Sequence, residues 1–408
     1  MSGALLIRNL SQIATPTGMR GAAMRKLAVH EDAVIVVRDG KIAYVGPERR
    51  GRIAITHDYD AKGATAIPGF VDSHTHLPWA GYRESEFNRR LQGETYEQIA
   101  ASGGGIASTV QATRKATEEQ LVKNVLERAQ TMARYGTTTA EAKSGYGLNV
   151  ADELKQLRAI RTANESSPVR LVPTCLAAHD FPPGRRDGSY VDEIVNEIIP
   201  AVAKEKLAKY CDVFVERGVF TPEQGDRVLR AGIAHRMKPR VHADELSDTG
   251  GAALAVALRA ASADHLMHVS DSGVAALAKS DTVANLLPAT SFFLMSPRYA
   301  PARALIDSGA IVSLSTDCNP GSSMTESMPM VMQLATLQMK MTVEESLTAA
   351  TLNGAYSLGL AKETGSIEVG KRADIVLIDA PSYLHLVYHF GVNLVRAVLR
   401  DGEFVVSS

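Results

Sequence analysis

The chain of 408 residues is poor in cysteine, in aromatic side chains and in net charge. Its three cysteines, Cys175, Cys211 and Cys318, are odd in number, far apart and never in a CxxC pair. That excludes a disulfide framework and fits a reducing compartment. A formal charge of −1 supplies no basic field for nucleic acid or anionic lipid, so neither is expected as a partner. No apolar run reaches the roughly 20 residues that span a bilayer. The N-terminal run Ala4–Ile7 is broken at once by Arg8 and Asn9 and is too brief for a signal sequence. A cytoplasmic location is therefore expected. What remains, 45% hydrophobic and 22% charged residues, is ordinary for a globular chain with a sizeable core.

The two ends of the chain resemble each other. An Asp39-Gly40 pair stands between the β-branched run from Ala33 and the run ending at Val45, and Asp401-Gly402 stands between Val398-Leu399 and Phe404-Val406. Asp-Gly between such runs predicts a tight hairpin, because the turn needs positive φ at both central residues. A further strand is expected at Ala373–Ile378, after a Val369-Gly370-Lys371 turn, whereas Thr15 to His30 reads as an irregular excursion. Residues 1–65 and 364–408 are thus expected to form one small β-sandwich domain built from both termini. Residues 66–363 differ. Strands are predicted at Phe70–His76, Thr137–Lys143, Arg170–Ala178, Asp212–Glu216, Arg240–Ala243, Ser262–His265, Val283–Pro288 and Ile311–Asp317. Between them lie helical spacings such as Leu121, Val125, Ala129 and Met132, three or four apart. Eight strands alternating with helices predict an α/β fold, a (β/α)8 TIM barrel, with an open doubly wound sheet as the alternative.

Polar residues gather where those strands end, which is where a barrel carries its active site. His74 and His76 close the first strand at alternate positions, so both rings can turn to one metal ion. His242 closes another, with Glu245 three residues on, where a carboxylate can relay a proton. Asp317 closes the last, and a carboxylate there needs a metal, a salt bridge or a helix cap. Together His74, His76, His242 and Asp317 make an N3O set that leaves a place for water. His265 can orient that water or offset an oxyanion. Each has a plainer reading: the paired histidines as a chance pattern on an exposed edge, His242 and His265 as structural strand-end residues, and Glu245 as a solvated loop acid. Lys143 raises the alternative of a carboxylated lysine bridging two metals, but its place on the second strand favours one. Arg83 can pair bidentately with a substrate carboxylate, and the Met-rich run Met324–Met341 reads as helix core.

Pro68-Gly-Phe-Val-Asp-Ser-His-Thr-His76, together with the two-ended β-domain, resembles the amidohydrolase superfamily. Four segments, Arg83–Gly93, Ala142–Leu148, His242–Leu246 and Ser315–Ser323, and the tail Tyr388–Asn393 are similar to its imidazolonepropionase family. The resemblance implies one zinc or iron ion per subunit on His74, His76, His242 and Asp317. It implies that Arg83, Tyr146, His179 and Glu245 contact 4-imidazolone-5-propanoate, and that Asn319, Gly321 and Ser322 form the loop holding substrate or the product N-formimino-glutamate. Glu245, His265 and Asp317 are the expected catalytic groups, and a homodimer is expected. Purine and pyrimidine deaminases share the histidine framework and are the nearest alternative, and a non-catalytic amidohydrolase-like scaffold is the alternative of a different class. The chain departs from the family pattern at Ser73 and at Pro78-Trp79, beside the expected pocket wall.

Overall fold

The computed structural model describes residues 3–48, 55–94, 98 and 104–407. Seven strands precede the barrel: β1 (Ala4–Arg8), β2 (Gln12–Pro16), β3 (Leu27–Glu31), β4 (Ala33–Arg38), β5 (Lys41–Pro47), β6 (Ile55–Asp60) and β7 (Thr65–Pro68). The barrel strands are β8 (Phe70–Asp72), β9 (Thr137–Lys143), β10 (Arg170–Ala178), β11 (Tyr210–Val215), β12 (Lys238–Ala243), β13 (Ser262–His265), β14 (Val283–Leu286) and β15 (Val312–Leu314). Then come β16 (Ile375–Ile378), β17 (Val395–Arg400) and β18 (Glu403–Ser407).

Strands β8 to β15 pair in sequence order, all parallel, with helices on the outside. The seam between β15 and β8 is closed just beyond both strands, where Asp317 N donates to His74 O at 3.1 Å and His76 N to Cys318 O at 3.0 Å. This is a nearly closed (β/α)8 barrel. Its helices form as local chemistry dictates. In Glu118–Arg134, Thr117 and Gln120 exchange bonds in a capping box, and Glu118 and Glu119 sit in the first turn. Leu121, Val125, Ala129 and Met132 line its inner face, all at 0% exposure.

Strands from both termini build the companion β-sandwich: a four-stranded sheet ordered β5-β4-β1-β6 and a six-stranded one ordered β18-β17-β16-β7-β2-β3. Ile7, Ile35 and Val37 from one sheet meet Ile13, Ile375, Leu377 and Leu399 from the other in a core of their own. Both Asp-Gly turns take the expected form, with φ of 52° and 73° at Asp39 and Gly40, and 50° and 78° at Asp401 and Gly402. The two turns touch. A Cβ on Gly40 would stand 2.9 Å from Asp401 O, and one on Gly402 would stand 2.7 Å from Val37 Cγ1.

Two expectations need correction. Thr15 to His30 is not irregular: β2 and β3 pair antiparallel, joined through a 3-10 turn at Gly21–Arg25 that docks on the barrel. Thr348 donates to Met24 O and Asn353 to Met19 O, which ties this segment to the barrel helices. The strands expected at Phe70–His76, Val283–Pro288 and Ile311–Asp317 stop earlier, at Asp72, Leu286 and Leu314. Pro288 instead opens a helix, its fixed φ suiting the first turn. His74, His76 and Asp317 therefore stand on the loops just past the strands.

Candidate metal centre

At the C-terminal mouth of the barrel, the rings of His74, His76, His179, His242, His265 and Tyr146 form one contiguous cluster. Ring centroids of His74 lie 4.5 Å from His242 and 5.3 Å from both His76 and His265. His179 stacks on His76 at 5.0 Å, and Tyr146 lies 5.2 Å from His179. The expected ligand set divides into two overlapping triplets that share His74. One is His74, His76 and Asp317; the other is His74, His242 and His265, with the potential ligand atoms of each within 4.8 Å of one another. His265 thus stands closer to the ligand positions than the sequence suggested.

The donor chemistry fits a divalent cation. His74 Nδ1 donates to Asp264 at 2.9 Å and His242 Nδ1 to Asp212 at 3.2 Å. These bonds leave Nε2 of each ring as the ligating atom, and both Nε2 atoms are buried without a hydrogen-bond partner. Asp317 Oδ1 lies 3.4 Å from His74 Nε2 and 3.3 Å from His76 Nε2. Its other oxygen accepts from Thr290 at 2.7 Å and from Ser322 at 3.4 Å.

Electrostatics reinforce this arrangement. Burial drives His242 down to about 3 and His265 to about 4, and holds His179 well below the ordinary range, so these rings are neutral donors. Burial and Lys143 push His74 down, but Asp264 and Asp317 outweigh them and raise it to about 9. Burial alone would raise Asp317, yet the His74 and His76 rings beside it, with His265, hold it well below the usual carboxylate range. Glu245 behaves oppositely: burial, then the charge of Asp317, lifts it to about 8. Its Oε2 lies 3.5 Å from His265 Nε2.

Backbone geometry aims these groups. Asp244, His265 and Asp317 take φ of 52°, 78° and 55° at three strand ends. Asp244 has a separate task, accepting from Thr249, Gly251 and Ala252 N–H groups at the start of the next helix. Beyond Asp317, Asn319 Oδ1 accepts from Gly321 N at 2.8 Å and Ser322 N at 2.9 Å, folding the loop on itself. Arg83 arrives from across the mouth. Its Nε and Nη2 are each 2.8 Å from Glu86, while Nη1 lies over Gly321, where a Cβ would stand 2.2 Å from it. Trp79 is fully buried under the Arg128 guanidinium, whose carbon lies 3.3 Å from the ring centroid; Trp79 packs in the core rather than on a pocket wall.

Every expected site residue lies at this mouth. Missed from the sequence were Asp212 and Asp264, the acceptors behind the histidines, Thr290 behind Asp317, and Glu86 behind Arg83. Asp212 carried a signal, an acid inside an otherwise apolar barrel strand, and Asp264 stands directly before the strand-end His265. Thr290 carried none.

An amidohydrolase family model matches residues 65–405. The chain is 49% identical over 409 residues to the imidazolonepropionase of Parabacteroides distasonis, covering 98% of each chain. It is 46% identical over 420 residues to the imidazolonepropionase of Brevibacillus brevis, covering 100% of this chain and 99% of the relative. Among solved structures it is similar in fold to an adenosine deaminase from Xanthomonas campestris with bound zinc. There the TM-score is 0.73 at 21% identity, covering 99% of this chain and 93% of the other.

Proposed function

This chain belongs to the imidazolonepropionases of the amidohydrolase family, and from that membership we infer a metal-dependent hydrolase. It opens the cyclic amide of 4-imidazolone-5-propanoate to N-formimino-L-glutamate, the third step of histidine degradation. The observation that carries this reading is identity close to one half along nearly the whole chain. The buried, unpartnered Nε2 atoms of His74 and His242 support it independently.

His74, His76, His242 and Asp317 would hold one zinc or iron ion, and His265 shares a candidate ligand triplet with His74 and His242. Such an ion supplies Lewis acidity and makes water nucleophilic near neutral pH. Arg83 takes the propanoate carboxylate from the side not used by Glu86, fixing the substrate by one end. Tyr146 and His179 flank the ring, and Asn319, Gly321 and Ser322 shape the loop against it, which supplies orientation. Glu245 is the proton carrier. A carboxyl lifted toward neutrality can both accept a proton from water and return it to the departing ring nitrogen. Asp317 is the second candidate for that transfer. His265, kept neutral by burial, donates toward the developing oxyanion. We place the domain boundaries near residues 65 and 364. We also infer a cytoplasmic homodimer that binds neither nucleic acid nor membrane. No helix among the described residues is long and apolar enough to cross a membrane.

The test is turnover of freshly generated imidazolone propanoate beside a panel of purine and pyrimidine deaminase substrates. Ring opening of the imidazolone alone is expected; ammonia release from a nucleobase without it would replace this reading with a deaminase.

A further inference from the structure

Beneath the histidine cluster lies a layer of five charged side chains, Glu141, Lys143, Asp212, Arg240 and Asp264, each at 0% exposure. Barrel interiors are normally filled by Val, Ile and Leu. Burying ions costs several kcal/mol each even after relaxation, and apolar replacements of such groups are often neutral or stabilising. A buried charged layer is thus a poor device for stability alone, which directs attention to what it holds in place.

Lys143 is its hub. Nζ lies 2.6 Å from Asp212 Oδ2, 2.8 Å from Glu141 Oε2 and 3.9 Å from Asp264 Oδ2. Glu141 is held in turn by Thr174 at 2.5 Å and by Arg240 Nε at 3.1 Å. Asp212 Oδ1 accepts from Val213 N at 2.7 Å and from His242 Nδ1 at 3.2 Å. A short chain of contacts therefore runs from Lys143 through Asp212 to His242, whose Nε2 has no partner. Carboxylation would put a negative group where Nζ now sits against two carboxylates at hydrogen-bond distance, and all three would repel. Lys143 is an ammonium, not a bridging ligand.

We propose that Lys143 is a positioning residue of the metal centre. It clamps Asp212 so that His242 keeps its proton on Nδ1 and presents the Nε2 lone pair to the cation. The proposal rests on the reading of the histidine cluster as a metal site. Without the ammonium, Asp212 Oδ2 loses its partner and only the Val213 N–H steadies the carboxylate, so its hold on the ring loosens and His242 can place its proton on the ligating nitrogen. In a catalytic triad, an Asp-to-Asn change behind a histidine selects the wrong tautomer while the geometry stays intact.

The experiment uses full-length protein labelled with 15N in histidine, stripped of metal, together with Lys143→Met and the volume-conserving Asp212→Asn. Long-range 1H–15N spectra report the His242 tautomer, assigned by its loss in His242→Gln. Affinity for Zn2+ is read by chelator competition. Wild type should show His242 protonated on Nδ1. Both variants should lose that single tautomer and bind Zn2+ roughly 10- to 100-fold more weakly, as second-layer changes do. If Lys143→Met does not fold, Lys143→Gln, polar and of similar length but uncharged, takes its place, and Asp212→Asn reports the same link from the carboxylate's side. An unchanged tautomer with affinity within twofold of wild type overturns the role of Lys143. Wild type that takes up no Zn2+ at all overturns the metal reading itself, a distinct result.

Discussion

Gly321→Ala should separate substrate capture from everything else in the protein. The backbone there has no positive φ, so alanine is conformationally acceptable. What it meets is Arg83: the new Cβ would stand 2.2 Å from Nη1 and 3.0 Å from Cζ. The guanidinium is the far end of a flexible side chain, so it moves and folding is barely touched, by less than about 1 kcal/mol. The arginine can no longer hold the substrate carboxylate from the side that Glu86 leaves open. A hydrogen bond between charged groups contributes about 1.5–3 kcal/mol, which corresponds to a KM increase of roughly 10- to 150-fold. Because the carboxylate lies far from the reacting carbonyl, kcat should change by less than about threefold. Steady-state kinetics on the propanoate and on an analogue lacking its carboxylate give the answer, with thermal melting as the control for folding. The analogue should be turned over equally by both proteins. An equal loss on both substrates, or an unchanged KM on the propanoate, would refute the placement of Arg83.

Three more outcomes follow from the same geometry. Dialysis against a strong chelator should abolish turnover, and one equivalent of zinc or iron per chain should restore it; full activity with under a tenth of an equivalent of metal would contradict the centre. Glu245→Gln should lower kcat by roughly 10²- to 10⁴-fold, the usual contribution of a positioned acid–base group. In metal-free protein it should also stabilise, and in a defined pH window. The folded carboxyl keeps its proton up to about 8, whereas the unfolded one releases it near its ordinary value of 4.5. Wild type therefore loses stability as pH rises between those values, and the glutamine variant does not. A melting-temperature gap that fails to widen from pH 5 to pH 8 would sink the argument. Arg128→Met should destabilise by about 2–4 kcal/mol in urea unfolding, since it strips two charged donors from buried carbonyls. Those donors reach Leu77 O at 2.6 Å and Trp79 O at 3.0 Å. A loss below about 1 kcal/mol would show that the turn after His76 is held by other means.

Much of the architecture was legible because it rests on local rules. Both Asp-Gly turns, the apolar stripe from Leu121 to Met132, and the bounds of β9, β10 and β13 follow from φ preference and periodicity alone. The pairing of β2 with β3 was hidden because Leu27–Glu31 is a half-exposed edge strand without clean alternation. The histidines were legible because their positions at strand ends are a one-dimensional fact. Their supports were not. Asp212 meets Lys143 across 69 positions and Asp264 meets His74 across 190, distances no sequence window spans. Thr290 sits on the helix Pro288–Phe293, which the sequence reading did not mark because its expected strand ran to Pro288, so its bond to Asp317 could not be anticipated.

The seam between β8 and β15 carries a consequence for assembly. His74 and His76 lie on one side of it and Asp317 on the other, joined by backbone bonds between residues more than 240 positions apart. Contacts of such sequence separation form late, because loop-closure entropy must be overcome first. A nascent chain interrupted before Asp317 thus has neither a closed barrel nor a competent triplet of ligands around His74 and His76. A cation held by His74, His76 and Asp317 together would therefore require that the last barrel strand has arrived. An ion that bridges the two lips of the seam would act as a rivet, set only when the last barrel strand has arrived, and its retention would report that the cylinder has shut.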